Sequence, residues 1–270
     1  MPEGDTIFKT AAALRPLLVG QPVLKAQARQ PGPQIQRVVG ASVTSIEPIG
    51  KHLVIRFSNG LALHSHLRMT GAWHRYAPGE RWKRPAWQAR VVLEVPEHVV
   101  VCFHAPVMEL MEDRAVAVHP GLTKLGPDLL APAFDADAAY ARLRGRGPVE
   151  IAEALLDQRA LAGIGNVFKS EILFLEGINP WTHVASVSDQ ALRSVLLTAE
   201  RLLRLNATPG APGRITTRDA REARTSPVWV YGRAHRACFR CHGPIQSRRQ
   251  GQLNRTTYWC PTCQPALTSP

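Results

Sequence analysis

The apolar positions of this chain change period along its length. Over residues 5–19 they recur at helical spacing: Ile7, Ala11, Leu14 and Leu18 share one face, Asp5 or Thr6 can cap the start, and Gly20 stops the run. From Pro22 to about Pro106 the pattern is that of strands. Val23–Ala28, Ala41–Ile46, His52–Phe57, Leu61–Leu67, Arg90–Val95 and His98–His104 are rich in β-branched residues, and turn signals separate them. The clearest of these, Ser58-Asn59-Gly60, predicts a tight hairpin. Six short strands without intervening helices predict an antiparallel sandwich or barrel.

Helical spacing returns near Pro120-Gly121. A short helix is expected over 135–144, broken by Gly145-Arg146-Gly147-Pro148, and another over Glu150–Gln158. After the turn Gly163-Ile164-Gly165, Asn166 opens a helix that runs to about Glu176 and is closed by Gly177 and Asn179-Pro180. Ser188 caps a longer helix carrying Leu192, Val195, Leu196, Ala199, Leu202 and Leu203. Residues 206–227, rich in Pro, Gly, Thr and Arg, are expected to form a mobile loop. Ile245–Gln250 and Arg255–Trp259 can pair as a hairpin whose tip is Gly251 to Asn254.

These patterns define an α+β multidomain chain. Its expected parts are a β-sandwich domain with an N-terminal helix over 1–118, a helical domain over 119–229 and a small cysteine module over 230–270. A length of 270 residues suits such a division. No run of about 18 apolar residues occurs, so no membrane span is expected. Two acids among the first five residues argue against a secretory signal. The expected location is the cytosol, with association to the nucleoid if the chain binds DNA.

Charge narrows the partner. The 33 Lys+Arg against 21 Asp+Glu leave a net charge of +12, and only six of the cations are lysines, Lys9, Lys25, Lys51, Lys83, Lys124 and Lys169. Between Arg214 and Arg255 ten arginines meet two acids, so that segment supplies +8 of the +12. A GC-rich genome explains a choice of Arg over Lys but not this clustering. A polyanion partner does, because the planar guanidinium fork suits phosphate.

Cysteine spacing adds a metal. Cys238, Cys241, Cys260 and Cys263 form C-x2-C-x18-C-x2-C, the pattern of a structural tetrathiolate zinc site. A disulfide pair is the alternative, although nothing else indicates an oxidising compartment. Cys102, within Val99-Val100-Val101-Cys102-Phe103, reads as a small buried hydrophobe. A ribbon of this kind would display Arg248, Arg249 and Arg255 near the hairpin tip.

The start of the chain carries the candidate chemistry. If Met1 is removed, Pro2 presents a secondary amine beside the carboxylate of Glu3. An unprotonated amine can attack an aldehyde-like carbon, and a carboxylic acid can move the protons that the attack requires. The positive end of the following helix disfavours a protonated amine there, and a free α-amino group has a pKa of only about 7.7–8. Elsewhere the signals are weaker taken singly. The turn Leu161-Ala162-Gly163-Ile164-Gly165-Asn166 could hold a phosphate or could be an ordinary helical corner with Asn166 as its cap. Lys51 follows a glycine at a strand entry. His64 and His66 alternate on one strand face but lack a third ligand at a convincing spacing, so packing is the simpler reading. Met69, beside Arg68 at a loop tip, could wedge into a base stack or belong to the core.

Together these residues resemble the formamidopyrimidine-DNA glycosylase / endonuclease VIII family. The resemblance runs nearly end to end, through Pro2-Glu3, Gly50-Lys51-His52, His66-Leu67-Arg68-Met69-Thr70-Gly71, Ala162-Gly163-Ile164-Gly165-Asn166 and the four-cysteine finger with Asn254-Arg255-Thr256-Thr257-Tyr258. It implies an N-terminal β-sandwich, a helix–two-turn–helix domain and a zinc-finger hairpin carrying one structural Zn2+, with damaged DNA in the cleft between domains. It also implies a bifunctional DNA glycosylase and AP lyase of base-excision repair, acting as a monomer without a small-molecule cofactor. Pro2 would attack C1′ of the damaged nucleotide and form an iminium, Glu3 would move protons, and Lys51 would contact phosphate and assist. Asn166 and Arg255 would hold the flanking phosphates, and Met69 would fill the gap left by the extruded base. Lys169 and Arg248 complete the candidate DNA-binding set. β,δ-Elimination would then nick the strand.

The opening Pro2-Glu3-Gly4-Asp5 is like the endonuclease VIII branch, which prefers oxidised pyrimidines. The purine-preferring branch carries an Arg-Phe pair that His104-Ala105-Pro106-Val107-Met108-Glu109-Leu110 lacks, whereas Met69 is more like that branch. Two other readings stand beside this one. One is a zinc-ribbon protein that binds damaged DNA or RNA without chemistry, and the other is an AP lyase without base removal. Pro2-Glu3 and Lys51 argue against the first.

Overall fold

The computed structural model describes residues 2–29, 31–208, 215–219 and 225–266. The chain forms two compact units, Met1–Lys124 and Leu125–Pro270. The first begins with helix α1 (Gly4–Leu18), whose residues Ile7, Ala11, Leu14 and Leu18 are all buried, as their spacing predicts. Glu3, not Asp5 or Thr6, is the N-cap: its carbonyl accepts from Thr6 and Ile7 N–H at 3.1 and 3.2 Å. Gly20, at φ +83°, turns the chain out of the helix.

Eight strands follow: β1 (Lys25–Ala28), β2 (Val43–Ile49), β3 (His52–Phe57), β4 (Leu61–His66), β5 (Ala72–Tyr76), β6 (Ala89–Val95), β7 (His98–Phe103) and β8 (Val107–Glu112). They make two four-stranded sheets, ordered β2-β3-β4-β8 and β1-β6-β7-β5, with every neighbouring pair antiparallel. One core cluster takes the α1 stripe together with Ile46, Leu53, Ile55 and Leu63 from the first sheet and Val91, Leu93, Val100 and Cys102 from the second. That is the predicted sandwich, with α1 built into it. Cys102 is fully buried, and burial pushes its thiol pKa up.

Two of these strands escape the β-branched signal. β5 reads Ala-Trp-His-Arg-Tyr with no β-branched residue, and β8 reads Val-Met-Glu-Leu-Met-Glu, a helix-like composition. Pairing with β7 and β4 overrides those propensities. Short helices α2 (Asp113–Val116) and α3 (Pro120–Thr123) end the unit.

The second unit contains α4 (Ala136–Arg144), α5 (Ile151–Leu156), α6 (Asn166–Leu175) and α7 (Asp189–Ala207). Asp135 caps α4 by accepting from Ala138 N–H at 2.8 Å, and Ser188 caps α7 by accepting from Ala191 N–H at 3.2 Å. The expected second helix stops at Leu156 because Gln158 is drawn into the turn that follows. Its side chain donates to the carbonyls of Leu156 and Ile164 and accepts from Gly163 N–H at 3.1 Å. α6 is buried from Asn166 through Phe174, which makes it the central helix of the unit. The expected mobile loop over 206–227 falls partly, at 209–214 and 220–224, outside the described residues; α7 continues to Ala207.

The hairpin β9 (Gln246–Gln250) and β10 (Arg255–Trp259) pairs antiparallel, with Arg255 opposite Gln250. Gly251 at its tip has φ +68°. A buried polar chain fastens the hairpin. Thr257 Oγ1 donates to Gln250 Oε1 at 2.7 Å, and Gln250 Nε2 donates to Glu150 Oε2 at 2.6 Å and to the Pro180 carbonyl at 3.1 Å.

Candidate active site and nucleic-acid interface

Pro2 is partly exposed, and Glu3, next to it, is fully buried at the head of α1. A carboxylate there meets the positive end of the helix, which favours its ionised form. Asp5, one turn further in, was not among the expected site residues. It is buried, its Oδ2 pairs with Lys9 Nζ at 3.3 Å, and its Oδ1 accepts from the Thr6 hydroxyl at 3.3 Å. Burial raises its pKa against the opposing pull of Lys9.

Lys51 sits with Gly50 in the two-residue turn between β2 and β3, because Ile49 and His52 face each other across the hairpin. Gly50, at φ +56°, provides the backbone conformation that the turn needs. Met69 lies in the loop after β4 and is 50% exposed, so it is a surface residue and not a core one. The loop is a single tight turn: Gly71 N–H donates to the Leu67 carbonyl at 2.9 Å. A Cβ at Gly71 would stand 2.6 Å from that oxygen, so only glycine fits.

In the second unit, the structure brings Asn166, Lys169 and the hairpin together. Asn166 Nδ2 donates to the Thr256 carbonyl at 2.8 Å, while Lys169 Nζ donates to Asn166 Oδ1 and Thr257 Oγ1, both at 2.7 Å. The residue after Arg255 is thereby tied to the start of α6. Lys169 itself is 1% exposed. Its ammonium braces Asn166 and β10.

The arginine cluster is also partly internal. Arg218 and Arg233 are buried, and both guanidinium groups lie over the Phe239 ring, at 3.7 and 3.5 Å from its centroid. Arg240 lies over Phe174 at 4.5 Å. Arg248 is exposed and lies 4.2 Å from the Trp181 centroid; Arg249 is exposed and Arg255 partly so. Composition could not separate these two groups, since stacked and displayed arginines count alike.

Glu171 was missed as well. It is fully buried on α6 and accepts from Trp229, Val230 and Tyr231 N–H at 2.7, 2.9 and 2.9 Å, and from the Thr217 hydroxyl. Burial raises its pKa, and these donors oppose the rise. The segment leading into the cysteine module is thus held by one carboxylate.

The four cysteines of that module are all free thiols, which removes the disulfide alternative. Cys238 and Cys263 sulfurs are 3.9 Å apart, Cys241 and Cys260 sulfurs 3.3 Å, and all four lie within 4.8 Å of one another. A tetrahedral ion with bonds of about 2.3 Å needs sulfurs about 3.8 Å apart, so the donor set fits a metal. The hydrogen bond with the Gly243 backbone lowers the Cys241 pKa to about 7, whereas burial raises those of Cys260 and Cys263. Arg240 N–H also points at Cys238 Sγ, at 3.4 Å.

A β-sandwich headed by a capped helix, a helical unit and a four-cysteine hairpin are the parts of one known class of DNA-repair protein. The family model described as "Formamidopyrimidine-DNA glycosylase N-terminal domain" matches residues 1–108, and the one described as "Formamidopyrimidine-DNA glycosylase H2TH domain" matches residues 125–215. The chain is 43% identical to a protein of Streptomyces coelicolor named "Probable endonuclease 8 2", over 98% of this chain and 94% of that one. It is 39% identical to "DNA-(apurinic or apyrimidinic site) lyase Nei2" of Mycolicibacterium smegmatis, over 98% and 100%. The chain therefore belongs to the formamidopyrimidine-DNA glycosylase / endonuclease VIII family and fits its endonuclease VIII side. Its fold matches the Lactococcus lactis formamidopyrimidine-DNA glycosylase, solved non-covalently bound to DNA containing an AP site, with a TM-score of 0.82 at 22% identity, covering 97% and 99% of the two chains.

Proposed function

We propose that the chain removes oxidised pyrimidines from DNA and cleaves the abasic site it creates, with the amine of Pro2 as nucleophile. Family membership makes it a DNA glycosylase and AP lyase of base-excision repair, working on damaged DNA. The observation that carries the residue assignment is the burial of Glu3 at the head of α1, one residue from Pro2.

With Met1 removed, the lone pair of Pro2 attacks C1′ and the damaged base departs. Glu3 takes the proton that the attacking amine releases and passes it to the ring oxygen, which lets the sugar ring open. A secondary amine then yields a charged iminium, an electron sink that acidifies C2′ and drives loss of the 3′-phosphate, and a second elimination releases the 5′-phosphate. Lys51 at its hairpin turn contacts phosphate, Asn166, Arg248 and Arg255 grip the backbone, and exposed Met69 fills the space of the extruded base. The four cysteines hold a structural Zn2+ that fixes the hairpin. The names of the relatives and the missing Arg-Phe pair after β7 support oxidised pyrimidines over purines. Action in the cytoplasm, on nucleoid DNA, follows.

The test is borohydride trapping with abasic, thymine-glycol and dihydrouracil duplexes. Mature protein should form a covalent adduct on all three, and protein that keeps Met1, in which the Pro2 nitrogen is a tertiary amide, should form none. Adducts on protein that keeps Met1 would remove the Pro2 amine from the mechanism, and trapping on abasic DNA alone would reduce the chain to a lyase.

A further inference from the structure

Four imidazoles and a carboxylate collect in the first unit, and no step above uses them. His64 on β4 stands opposite Glu109 on β8, and His52 on β3 stands opposite His66 on β4. His119, at the cap of α3, completes the group. His64 Nδ1 and His119 Nε2 converge on one atom, Glu109 Oε2, at 2.9 and 3.1 Å. Behind them His52 Nδ1 meets His64 Nε2 at 2.8 Å, and Gly121 N–H meets His119 Nδ1 at 3.2 Å.

The proton positions follow from these partners. Gly121 donates to His119 Nδ1, so the His119 proton is on Nε2 and faces Glu109. The Glu109 carboxylate can only accept, so the His64 proton is on Nδ1 and faces the same oxygen, which leaves His64 Nε2 to accept from His52. Two N–H groups thus close on one carboxylate oxygen, an arrangement in which a single dication can take the place of both protons.

The geometry points to a second metal site, formed by His64 Nδ1, Glu109 Oε2 and His119 Nε2, for a first-row divalent cation such as Zn2+ and separate from the four cysteines. The three donor atoms lie within 4.8 Å of one another. Ligands at tetrahedral angles around an ion with bonds of about 2.1 Å are about 3.4 Å apart, a few tenths of an ångström beyond the two contacts with Glu109. Two histidines and one carboxylate on one side of an ion leave its other positions to water, and Glu109 is 48% exposed.

Loading needs no net loss of a proton. The His64 proton moves to Nε2 and donates to His52 Nδ1, whose own proton moves to its Nε2. The His119 proton moves to Nδ1, and the contact with Gly121 N–H opens. His52 then acts as the outer partner that orients a liganding histidine. The ion would pin β4 and β8 to the segment that follows β8.

Elemental analysis tests this on the full chain carrying its finger metal. After equilibration with micromolar ZnCl2 and removal of free ion, the wild type should hold two zinc per chain, and Glu109→Gln and His119→Ala one each. Added Zn2+ should raise the melting temperature of the wild type and leave that of Glu109→Gln unchanged, which separates lost binding from lost folding. Co2+ added to the zinc-loaded chain should give the weak visible bands of nitrogen and oxygen ligation without thiolate charge transfer. One zinc in the wild type, or two in both variants, overturns the site.

Discussion

Lys169 Nζ donates to Asn166 Oδ1 at 2.7 Å, and the same ammonium reaches Thr257 Oγ1 at 2.7 Å. A cation in the middle of the second unit therefore sets the orientation of a candidate phosphate ligand and the position of β10 beside Arg255. Lys169→Met keeps much of the volume but leaves a buried amide oxygen and a buried hydroxyl without their donor. The expected loss is about 2–6 kcal/mol of stability, at about 1–3 kcal/mol for each of the two stranded groups, with weaker DNA binding as a consequence. Urea denaturation and fluorescence anisotropy on an abasic duplex measure the two effects.

Arg248 should behave in the opposite way. It is exposed and leans on Trp181, so Arg248→Ala removes a cation–π contact worth about 0.5–1 kcal/mol and little else from the fold. If the guanidinium contacts a phosphate, the slope of log affinity against log salt falls by about 1. An unchanged slope in a salt titration would remove Arg248 from the interface.

Asp5 gives a prediction in pH. Burial raises its pKa, so the folded state binds this proton more tightly than the unfolded chain does. The stability that this proton contributes is complete below the unfolded value near 3.8 and is lost as pH rises through the folded value. Asp5→Asn abolishes the dependence, because an amide does not titrate. The variant should gain in melting temperature over the wild type as the pH is raised from 4 to 7, as followed by differential scanning calorimetry. A gap between the two that stays constant with pH would show that Asp5 does not titrate differently on folding.

The course of these residues was unequally legible in the sequence. The stripe Ile7, Ala11, Leu14, Leu18 and the turn at Ser58-Asn59-Gly60 follow from local rules, and the structure bears them out. β5 and β8 were not legible, because cross-strand pairing and not composition makes them strands. With β8 unseen, Glu109 could not be placed opposite His64, so the two histidines of β4 lacked a third partner. Glu171 was hidden for a similar reason: its donors lie 46 to 60 positions away along the chain. Lys169 stood only among the candidate DNA-binding residues because a lysine at helical spacing carries no mark of the buried hydroxyl it meets.

Gly251 isolates backbone strain from packing. It has φ +68°, and a Cβ there would lie 2.1 Å from Glu153 Oε1. The carboxylate is the end of a flexible side chain and can move away, whereas the left-handed conformation cannot be relieved. Gly251→Ala should cost about 1–2 kcal/mol, and adding Glu153→Ala should recover only a small part of it. Equal stability of the double variant and the wild type would mean that the clash, and not the dihedral angle, governs this position.

Removal of the metal from the cysteine module should act on one unit alone. The apolar cluster under the hairpin consists of Phe174, Val230, Cys238, Ile245 and Cys260, so two of its five buried members are themselves candidate ligands. A two-stranded hairpin is at best marginally stable by itself, and most of what remains to hold β9 and β10 is the polar chain through Thr257 and Gln250. Stripped of metal, the four sulfurs lose the centre that draws them together, and the hairpin loses its register on α6. In Met1–Lys124 the core joins α1 to both sheets and includes none of the four cysteines. Chelation should therefore abolish DNA binding and erase the hairpin signals in amide-proton NMR spectra, while signals from the sandwich core, such as Leu53, Ile55 and Val100, keep their positions. Loss of both sets together would show that the first unit depends on the metal too.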